Sequence, residues 1–165
     1  MSDNQQETLI SIIGLRELGY LYLDPREHFP HFKDQSLKTK IEMQLRYSWN
    51  FDDMRFYVLT KFIVLISKES IKEKVIEYEC STDFKVEDLK NLVTQDDNKD
   101  FIIDKDFEES TVRLAIAHSR GMFFQKTIST IFRGIIYPLV DINKVLLSNN
   151  PLGLKVDPQP GNNKD

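Results

Sequence analysis

From Ile41 to Phe51 every odd position is apolar or aromatic, and every even position from Glu42 to Asn50 is polar. A strict period of two marks a strand with one buried face, so this segment predicts a half-buried antiparallel strand. Two other segments read differently. Arg55 to Ile66 is β-branched or aromatic on both parities (Phe56, Val58, Phe62, Val64 against Tyr57, Leu59, Ile63, Leu65), as in a central strand covered on each side. Ile12 to Leu23 is also apolar on both parities, and Asp24-Pro25 ends it, because proline cannot donate to a ladder. A fourth strand is expected where Ile76, Tyr78, Cys80, Phe84 and Val86 alternate with polar residues. The implied sheet is a three-stranded meander, turned at Asp52-Asp53 and at Ser67 to Lys72. The first strand joins it through a long crossover, Arg26 to Gln35.

Beyond Val86 the period changes. Gln95 to Asp100 reads as an acidic loop, and Asp106 with Glu109 three residues on predicts an N-cap and capping box. A helix follows from Phe107 to about Phe132. Val112, Ile116, Phe123 and Ile131 fall near one stripe, Leu114, Met122 and Ile128 near another. Small residues at 115, 117, 119 and 121 leave room for a close neighbour. Phe123 and Phe124 lie about 100° apart on a helix, so both cannot point fully into one core. Gly134 and Pro138 stop the helix, a short second one is expected from Asp141 to Leu147, and residues 149–165 read as a flexible tail. The fold class expected is α+β, a four-stranded antiparallel sheet with one long and one short C-terminal helix. It forms a single domain over residues 1–148.

Composition narrows the function. With 41% hydrophobic residues, among them 11 Phe and 6 Tyr, the 165-residue chain has enough apolar content for a packed core and is not disordered. One cysteine excludes a disulfide framework, and a net charge of -4 has the wrong sign for a general nucleic-acid binder. No window approaches the roughly eighteen uninterrupted apolar residues of a membrane span. Met1 to Thr8 is polar and acidic rather than signal-like, so a cytoplasmic, reducing setting is expected. The charge is uneven: Glu79 to Glu109 carries -7 and Ser110 to Asn150 carries +4. That asymmetry suits either partner steering or ordinary solvated faces.

Catalytic candidates are few. His28 and His31 flank Phe29-Pro30 near Asp24 and Asp34, but the spacing matches no common ligand set, and Pro30 holds the segment extended. Surface histidines in a crossover are the better account, with no metal. Cys80 falls on the apolar parity of its strand and is expected to be a buried, inert thiol; a pair with His118 has no third group to orient it. Ser119-Arg120-Gly121 lies within a helical period and lacks a preceding strand, so it is no phosphate loop. No enzyme and no cofactor is expected. What remains is aromatic surface: Trp49 and Phe51 at a strand end, Phe123 and Phe124 on the helix, Ile135 and Tyr137 after it.

Several ordered landmarks carry a resemblance. They are Phe32-Lys33-Asp34 in the crossover, Lys40-Ile41-Glu42-Met43, and Phe84-Lys85-Val86 at a strand end. The helix end from Ser129 then leads through Arg133-Gly134 and Pro138 to Val145-Leu146-Leu147. In this order, from about Gly19 to Leu147, the chain resembles the SecB family of protein-export chaperones. The resemblance implies a dimer of dimers, a homotetramer, that holds unfolded preproteins without ATP and delivers them to a SecA-type motor. It implies a client groove among Phe29, Phe32, Trp49, Phe51, Phe123, Phe124, Ile135 and Tyr137. It also implies an acidic motor-docking face at Glu77 and Glu79, with Asp24 on the first strand. The chain departs from the family in having Gln35-Ser36 where a crossover Trp is usual, an acidic insertion at Asn91 to Asp106, and a tail without a motor-binding signature. These departures bear on motor coupling more than on polypeptide binding. Some relatives serve an antitoxin instead, and the sequence leaves both roles open. Two rival classes also remain at this point: a small-molecule or lipid-binding α+β module, and a hydrolase using His28 or His31.

Overall fold

The structure is a computed structural model and describes residues 8–29 and 38–133. Four strands, β1 (Ile10–Tyr22), β2 (Lys38–Asn50), β3 (Arg55–Lys68) and β4 (Ile71–Val86), form one antiparallel sheet in the order β1-β4-β3-β2. This is the expected meander, with the first strand added beside the last. The strand that is apolar on both parities, β3, is central, with its even positions from Phe56 to Ile66 buried. A one-turn helix α1 (Pro25–His28) starts the crossover. After β4 come a one-turn helix α2 (Leu89–Leu92), a hairpin of β5 (Val93–Gln95) and β6 (Phe101–Ile103), and the long helix α3 (Lys105–Thr127). The expected second helix at Asp141 to Leu147 and the tail lie outside the described residues, as do His31, Phe32, Ile135 and Tyr137.

Local chemistry sets the turns. Between β2 and β3 the Asn50 side-chain oxygen accepts from the Asp52 and Asp53 amides at 2.9 and 3.1 Å. The β3–β4 turn is tighter than the sequence suggested, only Glu69-Ser70, and Glu69 takes a φ of 55°. Strand β4 therefore begins at Ile71, ahead of the alternation that starts at Ile76.

Three expectations around the helix are corrected. The N-cap is Asp104, not Asp106: its carboxylate accepts from the Phe107 amide at 2.9 Å. The acidic stretch before it is not simply a loop, since five turn-forming residues close the β5–β6 hairpin. Asp96 accepts there from the Asn98 and Asp100 amides. The helix also ends at Thr127, and the turns that follow reset the phase, so Phe132 is buried and Ile131 exposed.

Helix α3 lies across the two central strands, β3 and β4. Phe107, Val112, Ala115, Ile116, Ser119 and Phe123 form its buried face. Ala115 and Ser119 are the small residues that meet the sheet, whereas Ala117 and Gly121 point outward. The core divides at the middle of the helix. One cluster gathers around Phe56, Phe84, Leu89 and Phe107, the other around Phe62, Tyr78, Phe123 and Phe132. Thr60 and Cys80, paired across β3 and β4, lie where the two meet. Cys80 is buried, burial pushes its thiol pKa up, and it donates to the Ser119 hydroxyl at 3.2 Å, so His118 is not its partner.

Candidate functional site

The aromatic residues singled out from the sequence fall into two separate places. Trp49 and Phe51 lie at one end of the sheet, beside the start of α3. Trp49 stacks on Phe56 with centroids 6.4 Å apart, and the ring of Phe101 from the hairpin meets it edge-on at 4.8 Å. The hairpin that the sequence hid within an acidic stretch thus covers this aromatic end. Replacing Phe101 by Ser should uncover the only tryptophan of the chain. Its fluorescence emission should shift to the red and quench more readily with acrylamide, while far-ultraviolet dichroism stays native; an unchanged spectrum would mean that the hairpin does not cover Trp49.

Phe29, Phe123 and Phe124 lie toward the other end, with Phe123 sixteen residues beyond Phe107 along α3, about 24 Å at helical rise. Phe123 must be removed from the groove. It is 1% exposed, with Phe62 at 5.0 Å and Tyr78 at 5.9 Å between ring centroids, so it is core. Its neighbour Phe124 is 43% exposed, as the 100° offset requires. Phe29 is half-buried against the same cluster, with Tyr22 and Ile41.

Two apolar surfaces are open to solvent. Along α3, Leu114, Phe124 and Ile128 recur at helical spacing with Ala117 and Gly121 between them, and Ile131 follows in the turn. At its C-terminal end this row borders a depression of about 540 Å³ lined by Tyr22, Asp24, Arg26, Ile128, Ile131 and Arg133. The second surface is β1, an edge strand that α3 leaves largely uncovered. Leu15, Leu18 and Leu21 are exposed along it, and Ile13 and Leu18, the residues skipped at its two bulges, are exposed as well. The signal for this was legible: β1 is apolar on both parities, yet the topology puts it at an edge. The helix reaches Glu17 and Tyr20 of β1 through the Lys126 ammonium at 2.7 Å and the Lys126 carbonyl at 3.2 Å.

One of the three acidic candidates lies elsewhere than the resemblance implied. Asp24 is not on the first strand but caps α1: its carboxylate accepts from the Arg26 amide at 2.9 Å and pairs with the Arg26 guanidinium at 2.6 Å. That hydrogen bonding holds its pKa at about 2. Glu77 and Glu79 do share the outer face of β4, away from α3, but neither stands as a bare acid. Glu77 is paired with Lys61 at 2.6 Å and with Lys74, which together hold its pKa low; Glu79 is paired with Arg46. Elsewhere on this face Gly14 makes room for Asp83, whose carboxylate pairs with Arg16 at 2.7 Å and accepts from Ser81. Arg16, Tyr57, Leu59 and Ser81 line a shallow depression of about 390 Å³ there.

The described residues thus form a three-stranded meander with β1 added beside β4, crossed on one face by a long helix. Among solved structures, the Mycobacterium tuberculosis Rv1957 SecB-like chaperone, in complex with a ChAD peptide from the Rv1956 HigA1 antitoxin, superposes with a TM-score of 0.50. The fold is SecB-like. The match covers 79% of this chain and 90% of that chain at 12% sequence identity, so the likeness is one of fold. No protein-family model matches the sequence, and no curated protein matches it closely enough to count as a relative. Among the described residues no helix is long and apolar enough to cross a membrane. Nor do three or more His, Cys, Asp or Glu side chains converge there as a metal site would require.

Proposed function

We propose that this chain is an ATP-independent holdase that binds unfolded polypeptides and works in the cytoplasm as a homotetramer. The observation that carries the reading is the open apolar row of Phe124, Ile128 and Ile131 beside a depression at the end of α3, on a SecB-like fold. Apolar contact is non-directional, so such a surface accepts many sequences, as a holdase must. The start of the crossover at Phe29 borders the same core cluster as the end of the helix.

Assembly uses β1 and the first half of the α3 row. The free side of β1 takes a second copy by strand pairing, which would cover apolar side chains now exposed on both of its faces. The stretch of α3 around Ala117 and Gly121, where small side chains admit a close helix, joins two such pairs. Solution mass tests this arrangement: light scattering should give four protomers at micromolar concentration. A monomer at all concentrations would favour the rival reading, a module with an apolar pocket for a small molecule or lipid.

Two roles fit a holdase of this kind, general protein export and service to an antitoxin. The antitoxin role draws support from the Rv1957 complex, in which a protein of the same fold holds an antitoxin peptide. Export through an acidic docking face has less behind it, because Glu77 and Glu79 are each neutralised by neighbouring cations.

A further inference from the structure

The outer face of the sheet carries a charge opposite to that of the whole chain. Register places Lys38, Ser67 and Lys72 side by side across β2, β3 and β4. The next row holds Lys40, Leu65 and Lys74, the next Glu42, Ile63 and Glu77, and the next Gln44, Lys61 and Glu79, with Arg46 beyond it on β2. Five lysines and Arg46 thus stand with three carboxylates on one patch, in a protein whose net charge is -4. Glu73, between Lys72 and Lys74, pairs with buried Ile66 and belongs to the opposite face.

Each carboxylate of the patch is already claimed, Glu79 by Arg46 and the other two by a pair of lysines each. Glu42 lies 2.9 Å from the Lys40 ammonium and 3.6 Å from that of Lys72; Glu77 is shared by Lys61 and Lys74. Three positive charges remain in excess. Half-buried Ile63 and Leu65 run between the lysines, and Leu21 of β1, paired in register with Glu77, extends this apolar strip to the exposed edge.

We propose that this face docks an acidic, amphipathic segment of a partner protein, with its apolar side chains on the Ile63–Leu65 strip and its carboxylates among the lysines. The lysines that flank the strip are two strands apart, about 10 Å, within reach of carboxylates on both sides of one chain. Glu42 and Glu77 show that lysines at these positions hold carboxylates. A basic segment, the partner that an acidic docking face would select, meets net repulsion here. Nucleic acid is disfavoured on three grounds: the one arginine of the patch, Arg46, is engaged by Glu79 and no exposed aromatic ring offers stacking, three carboxylates stand within it, and the whole chain repels a long polyanion. An anionic membrane is disfavoured because Ile63 and Leu65 lie half-buried between longer side chains and do not protrude. The proposal is independent of whether the α3 surface holds unfolded clients.

The test is fluorescence anisotropy with a labelled synthetic peptide of alternating Glu and Leu, compared with its Lys-Leu counterpart. An oligothymidylate and phosphatidylglycerol vesicles provide the other two arms. The Glu-Leu peptide should bind about tenfold or more tightly than the Lys-Leu peptide, the oligonucleotide or the vesicles, and added salt should weaken it. The combined Lys40→Glu, Lys72→Glu and Lys74→Glu variant should lose about tenfold in affinity for it. The milder Lys→Gln set at the same positions should lose severalfold, and its lack of new charge guards against misfolding. Unfolded-client binding on α3 should be unchanged in both. Preference for the oligonucleotide or the vesicles, or full affinity in the Lys→Gln set, would overturn the assignment.

Discussion

Replacing Phe123 by Ala is expected to cost about 3–5 kcal/mol of folding stability, enough to unfold a marginal domain. The ring is buried between Phe62 on β3 and Tyr78 on β4. Asp at this position adds a charge buried without a partner and should not fold at all. Urea denaturation of the Ala variant reads the effect. A midpoint equal to that of the natural protein would mean that Phe123 is not core and would restore it to the client surface.

The second large effect falls on the next residue. Phe124→Asp combined with Ile128→Asp should leave the fold in place and remove most of the affinity for unfolded polypeptide. Both side chains are open to solvent, at 43% and 55% exposure, so the folded state loses little by their replacement. The main penalty is two acids near the helix C-terminus, at most about 1 kcal/mol each. A bound client, by contrast, would lose two apolar contacts worth about 1.5–3 kcal/mol each if fully buried, roughly a hundredfold in affinity or more. Binding of a permanently unfolded, labelled polypeptide would measure it, with thermal unfolding as the control. Native affinity in a folded double variant would move the client site away from α3. The contrast between positions 123 and 124 is the sharper test, because adjacent phenylalanines should fail in different assays.

How much of this was legible in the sequence depends on the range of the interaction. The strict alternation of β2 and the two-sided pattern of β3 reflect the pleat alone; β2 is as the pattern implies, whereas β3 is central but buried on one face only, its apolar odd positions being half-buried. The helix N-cap was missed by two residues, because Asp104 and Asp106 both precede a plausible first turn and only the placement of Phe107 in the core selects between them. The hairpin was missed because three-residue strands are too short to show a period. The turn chemistry of Asp96 to Asp100 between Val93 and Phe101 was its available signal. Phe123 and Phe124 were known to diverge, and the stripe through Val112, Ile116 and Ser119 already pointed inward at Phe123. The electrostatics were least legible. Arg46 and Glu79 are 33 residues apart, and Lys40 and Lys74 reach the same row only once β2, β3 and β4 are in register.

The most direct measurement is light scattering from a chemically denatured model protein diluted into buffer with this protein and no nucleotide. Stoichiometric amounts should suppress the aggregation of the natural chain's client, and the Phe124→Asp, Ile128→Asp variant should not suppress it. Aggregation that proceeds unchecked beside the folded natural protein, with no bound client detected, would contradict the holdase reading outright.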